Sequence, residues 1–330
     1  VNQKNTITAA ITAIGGYVPD TILDNKKLEQ LVDTSDEWIT SRTGIKERRI
    51  LCDKSLATSD LAAFAVLDLL KNNDVNPKSI DCLILATATP DYVLTPTAPL
   101  ICEKAGLQNA WGFDLNSACS GFLYALSVGA SLVESTRYKK VLVVGADKMS
   151  SIINYEDRNS CILFGDGAGA VLLEANKDGY GVQQSIFKTD GKGAKCLSVP
   201  AGGSLLPASE ATILSKKHFV QQDGRTVFKQ AIQKMGSTCK DILKAADLSP
   251  ESVDWVIPHQ ANLRIIQGVS KEIGVPIEKF KINIDRYGNT TSATIPLCLW
   301  DFQKDFKRGD NIILTAFGAG FSWGSTYIKW

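Results

Sequence analysis

Histidine is scarce in this chain, with two among 330 residues. None of the eight cysteines (52, 82, 102, 119, 161, 196, 239 and 298) stands in a C-x-x-C pair or beside a histidine at metal-ligand spacing. Neither a bound metal nor a disulfide framework is therefore expected. Charge of one sign is missing too: 36 basic and 35 acidic residues leave a formal charge of +1. No global field draws the protein to nucleic acid or to an anionic membrane, and an acidic partner would have to meet a local basic patch. No apolar run approaches the roughly 18 residues of a membrane span. The first residues, Val1 to Asn5, lead into a strand-like segment and carry no secretory signal pattern. The expectation is a reduced, cytoplasmic protein with no membrane or nucleic-acid partner.

What is present is an ordinary globular composition, 44% hydrophobic and 22% charged, long enough for one large α/β domain or two smaller ones. Strand-like and helix-like stretches alternate from end to end with no low-complexity linker, which favours an α/β class. Strands are expected at 8–14, 82–87, 111–115, 141–144, 171–174, 253–257, 311–315 and 325–329. Helices are expected at 59–72, 97–105, 120–134, 226–246 and 263–273.

An internal repeat organises these elements. Residues 68–81 (DLLKNNDVNPKSID) and 241–254 (DILKAADLSPESVD) agree at seven of fourteen positions, each reading as a helix end, a proline-containing turn and a strand. A glycine-rich hairpin is also expected twice, at Phe164–Gly169 and at Phe317–Gly320. Two copies of so long a unit suit a duplicated domain better than a solenoid. The halves are expected at 1–175, with the reactive cysteine, and 176–330, with the histidine and asparagine.

Three polar residues stand in settings suited to chemistry. Cys119, in DLNSACSGF, follows an expected strand and precedes an apolar helix. Unpaired N–H groups at a helix N-terminus favour a thiolate over the free thiol's pKa of about 8.5. A buried, inert cysteine is the other reading. His259 ends the buried run 253–257 in PHQAN, where a rigid donor or a structurally satisfied histidine would fit. Asn289, in YGNTTSA, reads as an amide donor or as a helix cap. Trp38 and Arg42, in TSDEWITSRTG, either stack and pair a nucleotide or form a solvated helix turn. His218 reads as a surface or interface residue. The glycine-rich segments match no phosphate-binding loop; one could lend a backbone N–H to an oxyanion.

Taken together, TSDEWITSRTGI, DLNSACSGF, DRNSCILFGDGAGAVLLE, PHQANLRI, YGNTTSATIP and FGAGFSWG resemble the β-ketoacyl-acyl carrier protein synthase III family of the thiolase-like superfamily, over nearly the whole chain. The resemblance implies a five-layered α-β-α-β-α fold of two similar halves, usually a homodimer. It implies an initiating condensation of an acyl-CoA primer with malonyl-acyl carrier protein, with acyl-CoA as a substrate and no cofactor. It makes Cys119 the acylated nucleophile, with His259 and Asn289 on the malonyl thioester carbonyl, and the N–H groups of Cys119 and Ala319 the oxyanion hole. Thr34, Trp38, Arg42, Arg158, Gly224, Phe228 and Asn262 match CoA-binding positions. Lys229, Arg264 and Lys271 match positions that meet the carrier protein, and Met149 and Phe164 match the acyl pocket. Around Tyr92–Pro96 the family often carries a phenylalanine that helps close the partner subunit's acyl pocket; this chain has none there. The runner-up readings are a specialised condensing enzyme, a non-decarboxylating acyltransferase, and a non-catalytic carrier-protein partner. A papain-like protease is disfavoured by the missing C-G-[SA]-C-[WY] signature.

Overall fold

Two sheets with the same strand order organise the structure, a computed structural model that describes residues 7–330. The first holds β1 (Thr8–Tyr17), β2 (Cys82–Ala86), β3 (Trp111–Leu115), β4 (Lys140–Lys148) and β5 (Asp166–Asn176) in the order β1-β5-β4-β2-β3. The second holds β6 (Gly181–Thr189), β7 (Trp255–Pro258), β8 (Asn311–Gly318) and β9 (Ser322–Lys329) in the order β6-β9-β8-β7. In both, two antiparallel pairings are followed by a parallel one: β1/β5/β4 then β2 in the first sheet, β6/β9/β8 then β7 in the second. The first sheet adds β3 at its edge. At the matching edge of the second, a single parallel bridge from Val256 to Phe280 stands where that fifth strand would be.

The repeated sequence does the same work twice. The Asp81 carboxylate accepts the N–H of Lys140 at 2.9 Å, and that of Asp254 accepts the N–H of Asn311 at 2.7 Å. Each repeat's last aspartate thus ties the approach to β2 or β7 to the start of the strand that pairs beside it. Asp74 and Asp247 also share a left-handed backbone, at φ 50° and 52°. Aspartate tolerates that region better than branched residues do.

Strand residues alternate between two cores, as period-two side chains in a doubly covered sheet must. Ile84, Val143 and Leu314 face a central core with Phe122 and Leu126 of α3 (Gly121–Glu134) and Ile295 of α6 (Thr294–Phe302). Leu83, Leu142 and Val144 face an outer core under α2 (Thr58–Asn72). Ile313 and Val256 face another outer core under α4 (Gly224–Ala245) and α5 (Leu263–Ile273). Helix pair, sheet, helix pair, sheet and helix pair make the expected five layers, the first outer pair being α2 and the helix Ala98–Lys104. The short helix α1 (Asp36–Thr43) lies beside α5, outside this stack.

One expectation is corrected. Phe164–Gly169 does not form a hairpin after a strand: it follows a short helix, Arg158–Cys161, and runs into β5. A Cβ on Gly169 would stand 2.7 Å from the carbonyl carbon of Pro296, so that glycine lets α6 lie flat on β5. The second glycine-rich segment is a true turn, joining β8 to β9 through Ala319 and Gly320. Among the described residues no helix is long and apolar enough to cross a membrane.

Candidate active site

Cys119, His259, Asn289 and Ala319 line one cavity of about 580 Å³. Each reaches it from a different element end. Cys119 sits between β3 and α3, on an elbow bent by Ala118 at φ 44°, a left-handed backbone that costs a non-glycine residue energy and recurs at functional sites. His259 follows β7, and its backbone N–H donates to Thr315 in β8 at 2.8 Å. Asn289 lies in the turn before α6. That turn is stitched to the first half: Asn289 N–H donates to Leu163 O at 2.8 Å, and Gly165 N–H donates to Asn289 O at 3.1 Å.

The side chains are oriented by neighbours. Asn289 Oδ1 accepts the N–H of Thr291 at 2.9 Å, so the group left to offer the cavity is the amide NH2. His259 Nδ1 lies 2.7 Å from Thr294 Oγ1. Burial pushes the His259 pKa down to about 3, so the imidazole is neutral throughout the working range. The same burial, with the nearby Asp147 carboxylate, pushes the Cys119 thiol up to about 12. This departs from the thiolate expected of a helix N-terminus: the sequence shows the helix, but not that the sulfur is 6% exposed. At rest Cys119 is a thiol, and any chemistry at its sulfur must first remove that proton.

Several residues that sequence reading missed hold these groups in place. Ser120 Oγ and Ser322 Oγ are 2.6 Å apart, and Ser322 Oγ also bonds Ser117 O at 3.2 Å and Ala319 O at 3.0 Å. These serines fasten the cysteine elbow to the Ala319 turn. Below them the fully buried Asp147 accepts from Thr87 and Thr89 hydroxyls, from Ala88 N–H, and from both the N–H and the hydroxyl of Ser292. Burial raises the Asp147 pKa, and the donors, Ser292 first, oppose that rise. Only DLNSACSGF and FGAGFSWG hinted at the serines; nothing local pointed to Asp147.

The remaining candidates divide. Trp38, Arg42, Gly224, Phe228, Asn262 and Arg264 line the cavity, with Arg42, Gly224 and Arg264 exposed at its rim; Met149 and Phe164 line it where it is buried. Asn262 Nδ2 donates to Arg42 O at 3.0 Å, which joins α5 to α1, and the Arg264 guanidinium stands 5.4 Å from the Phe228 ring centre. Thr34 and Arg158 lie outside the lining. Arg158 stacks on Trp38 at 4.9 Å and donates to Asp33 O, while the buried Thr34 hydroxyl has no partner among the described residues. Lys229 and Lys271 are exposed on α4 and α5, and Lys271 lies seven residues from Arg264, two turns along the same face. His218 is half-buried, with Nε2 at 2.9 Å from Thr212 Oγ1.

Comparison with known proteins agrees with this architecture. The sequence matches the family described as 3-oxoacyl-[acyl-carrier-protein (ACP)] synthase III over residues 113–191, and that family's C-terminal part over residues 243–330. It is 52% identical over 324 residues to the beta-ketoacyl-[acyl-carrier-protein] synthase III of Phocaeicola vulgatus, covering 98% of this chain and 97% of that protein. The crystal structure of 3-oxoacyl-[acyl-carrier-protein] synthase III from Aquifex aeolicus superposes with a TM-score of 0.89 at 38% identity, covering 98% of this chain and all of that one. The priming β-ketosynthase of the R1128 polyketide pathway superposes equally well but at 30% identity, covering 97% of this chain and 95% of that one. Fold and relatives define an acyl-transferring condensing enzyme of the thiolase fold. The chain belongs to the β-ketoacyl-acyl carrier protein synthase III family.

Proposed function

We propose that the protein condenses an acyl-CoA primer with malonyl-acyl carrier protein, giving β-ketoacyl-acyl carrier protein, CoA and CO2, and so initiates fatty-acid synthesis. The observation that carries the assignment of roles is the convergence of Cys119, His259, Asn289 and Ala319 on one cavity with an exposed arginine rim. The greater identity to synthase III relatives than to the polyketide priming enzyme favours this reading over a specialised pathway.

In the first half-reaction the Cys119 sulfur attacks the acyl-CoA carbonyl and its proton leaves with CoA as the free thiol. The backbone N–H groups of Cys119 and Ala319 hold the tetrahedral oxyanion where its charge develops. Trp38, Arg42, Arg158, Gly224, Phe228, Asn262 and Thr34 bind CoA, with Arg158 acting through its stack on Trp38. In the second half-reaction the malonyl thioester oxygen accepts from His259 and from the Asn289 amide. CO2 leaves, and its bonding electrons pass into an enolate held by these two neutral donors. The enolate carbon attacks the acyl-enzyme, the C–S bond breaks, and the Cys119 thiolate regains a proton from solvent. Neutral donors suit this step, since an imidazolium would protonate the carbanion and so quench it.

Lys229, Arg264 and Lys271 supply the local basic surface for an acidic carrier protein. Met149 and Phe164 bound the primer's acyl chain, which the reading takes as short or branched. The protein works in the cytoplasm as a homodimer, and the exposed side chains of Tyr92, Val93 and Leu94 support a partner surface there, at 62%, 94% and 92% exposure.

The test is to incubate the protein with acyl-CoAs from acetyl to decanoyl, branched ones included, then with malonyl carrier protein, following intact masses of both proteins. Acylated Cys119 followed by a β-ketoacyl carrier protein is the expected outcome. Acylation without condensation would replace the proposal with an acyltransferase, and no acylation would leave a binding protein. In Cys119→Ser acylation is abolished; in Asn289→Ala it survives while decarboxylation fails.

A further inference from the structure

In a parallel ladder, a residue that faces its neighbour donates its N–H to one carbonyl of the adjoining strand and accepts, at its own carbonyl, the N–H two residues further along. At the edge of the second sheet Val256 faces Phe280 in such a bridge, and Lys281 N–H donates to Val256 O at 2.9 Å. The next rung would fall on Pro258, whose N–H would donate to Lys281 O and whose carbonyl would accept from Asn283 N–H. Proline has no N–H, so the backbone cannot build that rung.

The Gln260 side chain makes the bonds instead. Its Nε2 donates to Lys281 O at 3.2 Å, and its Oε1 accepts Asn283 N–H at 3.2 Å. The other Nε2 proton goes to Pro258 O at 2.7 Å, the carbonyl that the missing rung leaves free. A glutamine amide carries the donor and acceptor of a peptide group with one donor to spare, and here all three go to backbone atoms. Gln260 is 1% exposed, so no water takes their place.

The two segments joined in this way carry His259 and Asn289. Gln260 follows His259 directly, and the His259 N–H is itself fixed to Thr315 O. Asn283 opens the helical turn Ile284–Tyr287, and Gly288 N–H closes that turn on Ile284 O at 2.9 Å, one residue before Asn289. Asp301 of α6 holds the turn from its far side, accepting from Asn283 Nδ2 at 2.8 Å and from the Tyr287 hydroxyl at 3.1 Å.

We propose that the Gln260 amide is a substitute rung across the gap left by Pro258 and sets the spacing of His259 from Asn289, which makes Gln260 a positioning residue for the second half-reaction. The inference rests on the condensing function above, but its first readout does not. Gln260→Met keeps the length of the side chain and loses every polar contact. Hydrogen exchange read by mass spectrometry should then quicken about tenfold in a peptide spanning 281–290, while the β8 peptide 311–318 is unchanged. Unaltered exchange in 281–290 overturns the proposal, whatever the protein catalyses.

The second readout separates the half-reactions. Turnover of malonyl carrier protein by the methionine variant should fall about tenfold to a hundredfold, the scale of misplacing a reacting group by about 1 Å. Transfer of the acyl group from acyl-CoA to Cys119 should stay at the wild-type rate. In an Asn289→Ala background the same substitution should cost less than about threefold more, because the group it places is gone. A full further tenfold loss in that background, or equal loss of both half-reactions in the single variant, refutes the positioning role. If the methionine variant does not fold, Gln260→Asn, which keeps an amide one carbon too short to span the gap, carries the same comparisons. A wild-type protein that turns over no malonyl carrier protein would refute the function and with it the positioning role, leaving the rung to be decided by the exchange comparison.

Discussion

Gly318 stands where the Cys119 elbow meets the Ala319 turn, with no room for a side chain between them. It closes β8 and pairs with Ser322 across the hairpin. A Cβ at Gly318 would lie 2.9 Å from Cys119 N, 3.0 Å from Ser120 N and 3.2 Å from Ser117 O, all backbone atoms of the elbow. Ordinary contact begins at 3.4 Å, so Gly318→Ala must push the elbow and the Ala319 turn apart by about 0.5 Å. No flexible side-chain end is available to yield, and the Ser120–Ser322 bond must stretch with the gap. Oxyanion donors work within a window of about 2.7–3.1 Å, and losing one costs about a hundredfold to a thousandfold. Overpacking of this size also costs about 1–3 kcal/mol of stability. Rapid-quench intact-mass measurement of Cys119 acylation should therefore show a loss of roughly a hundredfold. Decarboxylation, which the proposed function assigns to His259 and Asn289, should change far less. Wild-type acylation in a folded Gly318→Ala protein would refute the proposal that the oxyanion is held between these two backbones.

With its thiol near 12, Cys119 should alkylate with iodoacetamide about tenfold faster per pH unit between pH 7 and 10, measured against Cys119→Ala as the blank; a profile that levels off near pH 7 would contradict a protonated resting nucleophile. The His259 pKa is depressed in the folded state, so the unfolded chain binds the extra proton between pH 6.5 and 3, and stability rises with pH across that window and is lost as pH is lowered through it. Urea unfolding should lose about 1.4 kcal/mol per pH unit from this residue below pH 6.5, and His259→Gln should lose that part of the slope. Asp147→Asn places a donor among the hydroxyls and N–H groups that Asp147 now accepts, and should cost about 2–3 kcal/mol in urea unfolding, while an unchanged midpoint would argue against a tightly bound carboxylate.

The parts of the fold legible in the sequence were those written locally. Trp111–Leu115 and Leu263–Ile273 have the bounds their patterns predicted, and β2, α2 and α3 differ from expectation by a residue. The repeated aspartates advertised the duplication because they recur at the same place in both copies of the motif, although the strands they tie down, starting at Lys140 and Asn311, lie far along the chain. β6 went unpredicted: GVQQSIFKT alternates weakly, and its place is fixed by pairing with β9, about 140 residues away. Phe164–Gly169 misled because glycines that admit a helix onto a strand look in sequence like glycines that turn a hairpin. In the site, the motif residues stood out because their contexts are local. Ser322, Asp147 and Thr294 could not, since each matters through a partner 35 to 202 residues distant. The acidity of Cys119 was misjudged because the sequence shows neither the burial of the sulfur nor the Asp147 carboxylate near it, which together push the thiol up.

The stitching of the Asn289 turn to Leu163 and Gly165 carries a consequence for how activity arises during folding. Neither half owns a working site: the thiol comes from one, the histidine and amide from the other, and the parallel bridge between Phe164 and Asn289 sets their register. Each half can gain its sheet and outer helices from its own residues, yet chemistry appears only when the central helices α3 and α6 close between the sheets. Catalysis is thus a reporter of docking. In partly denatured protein it should vanish before the circular dichroism of either half does, and two separately made halves that reassemble would announce the event by regaining turnover.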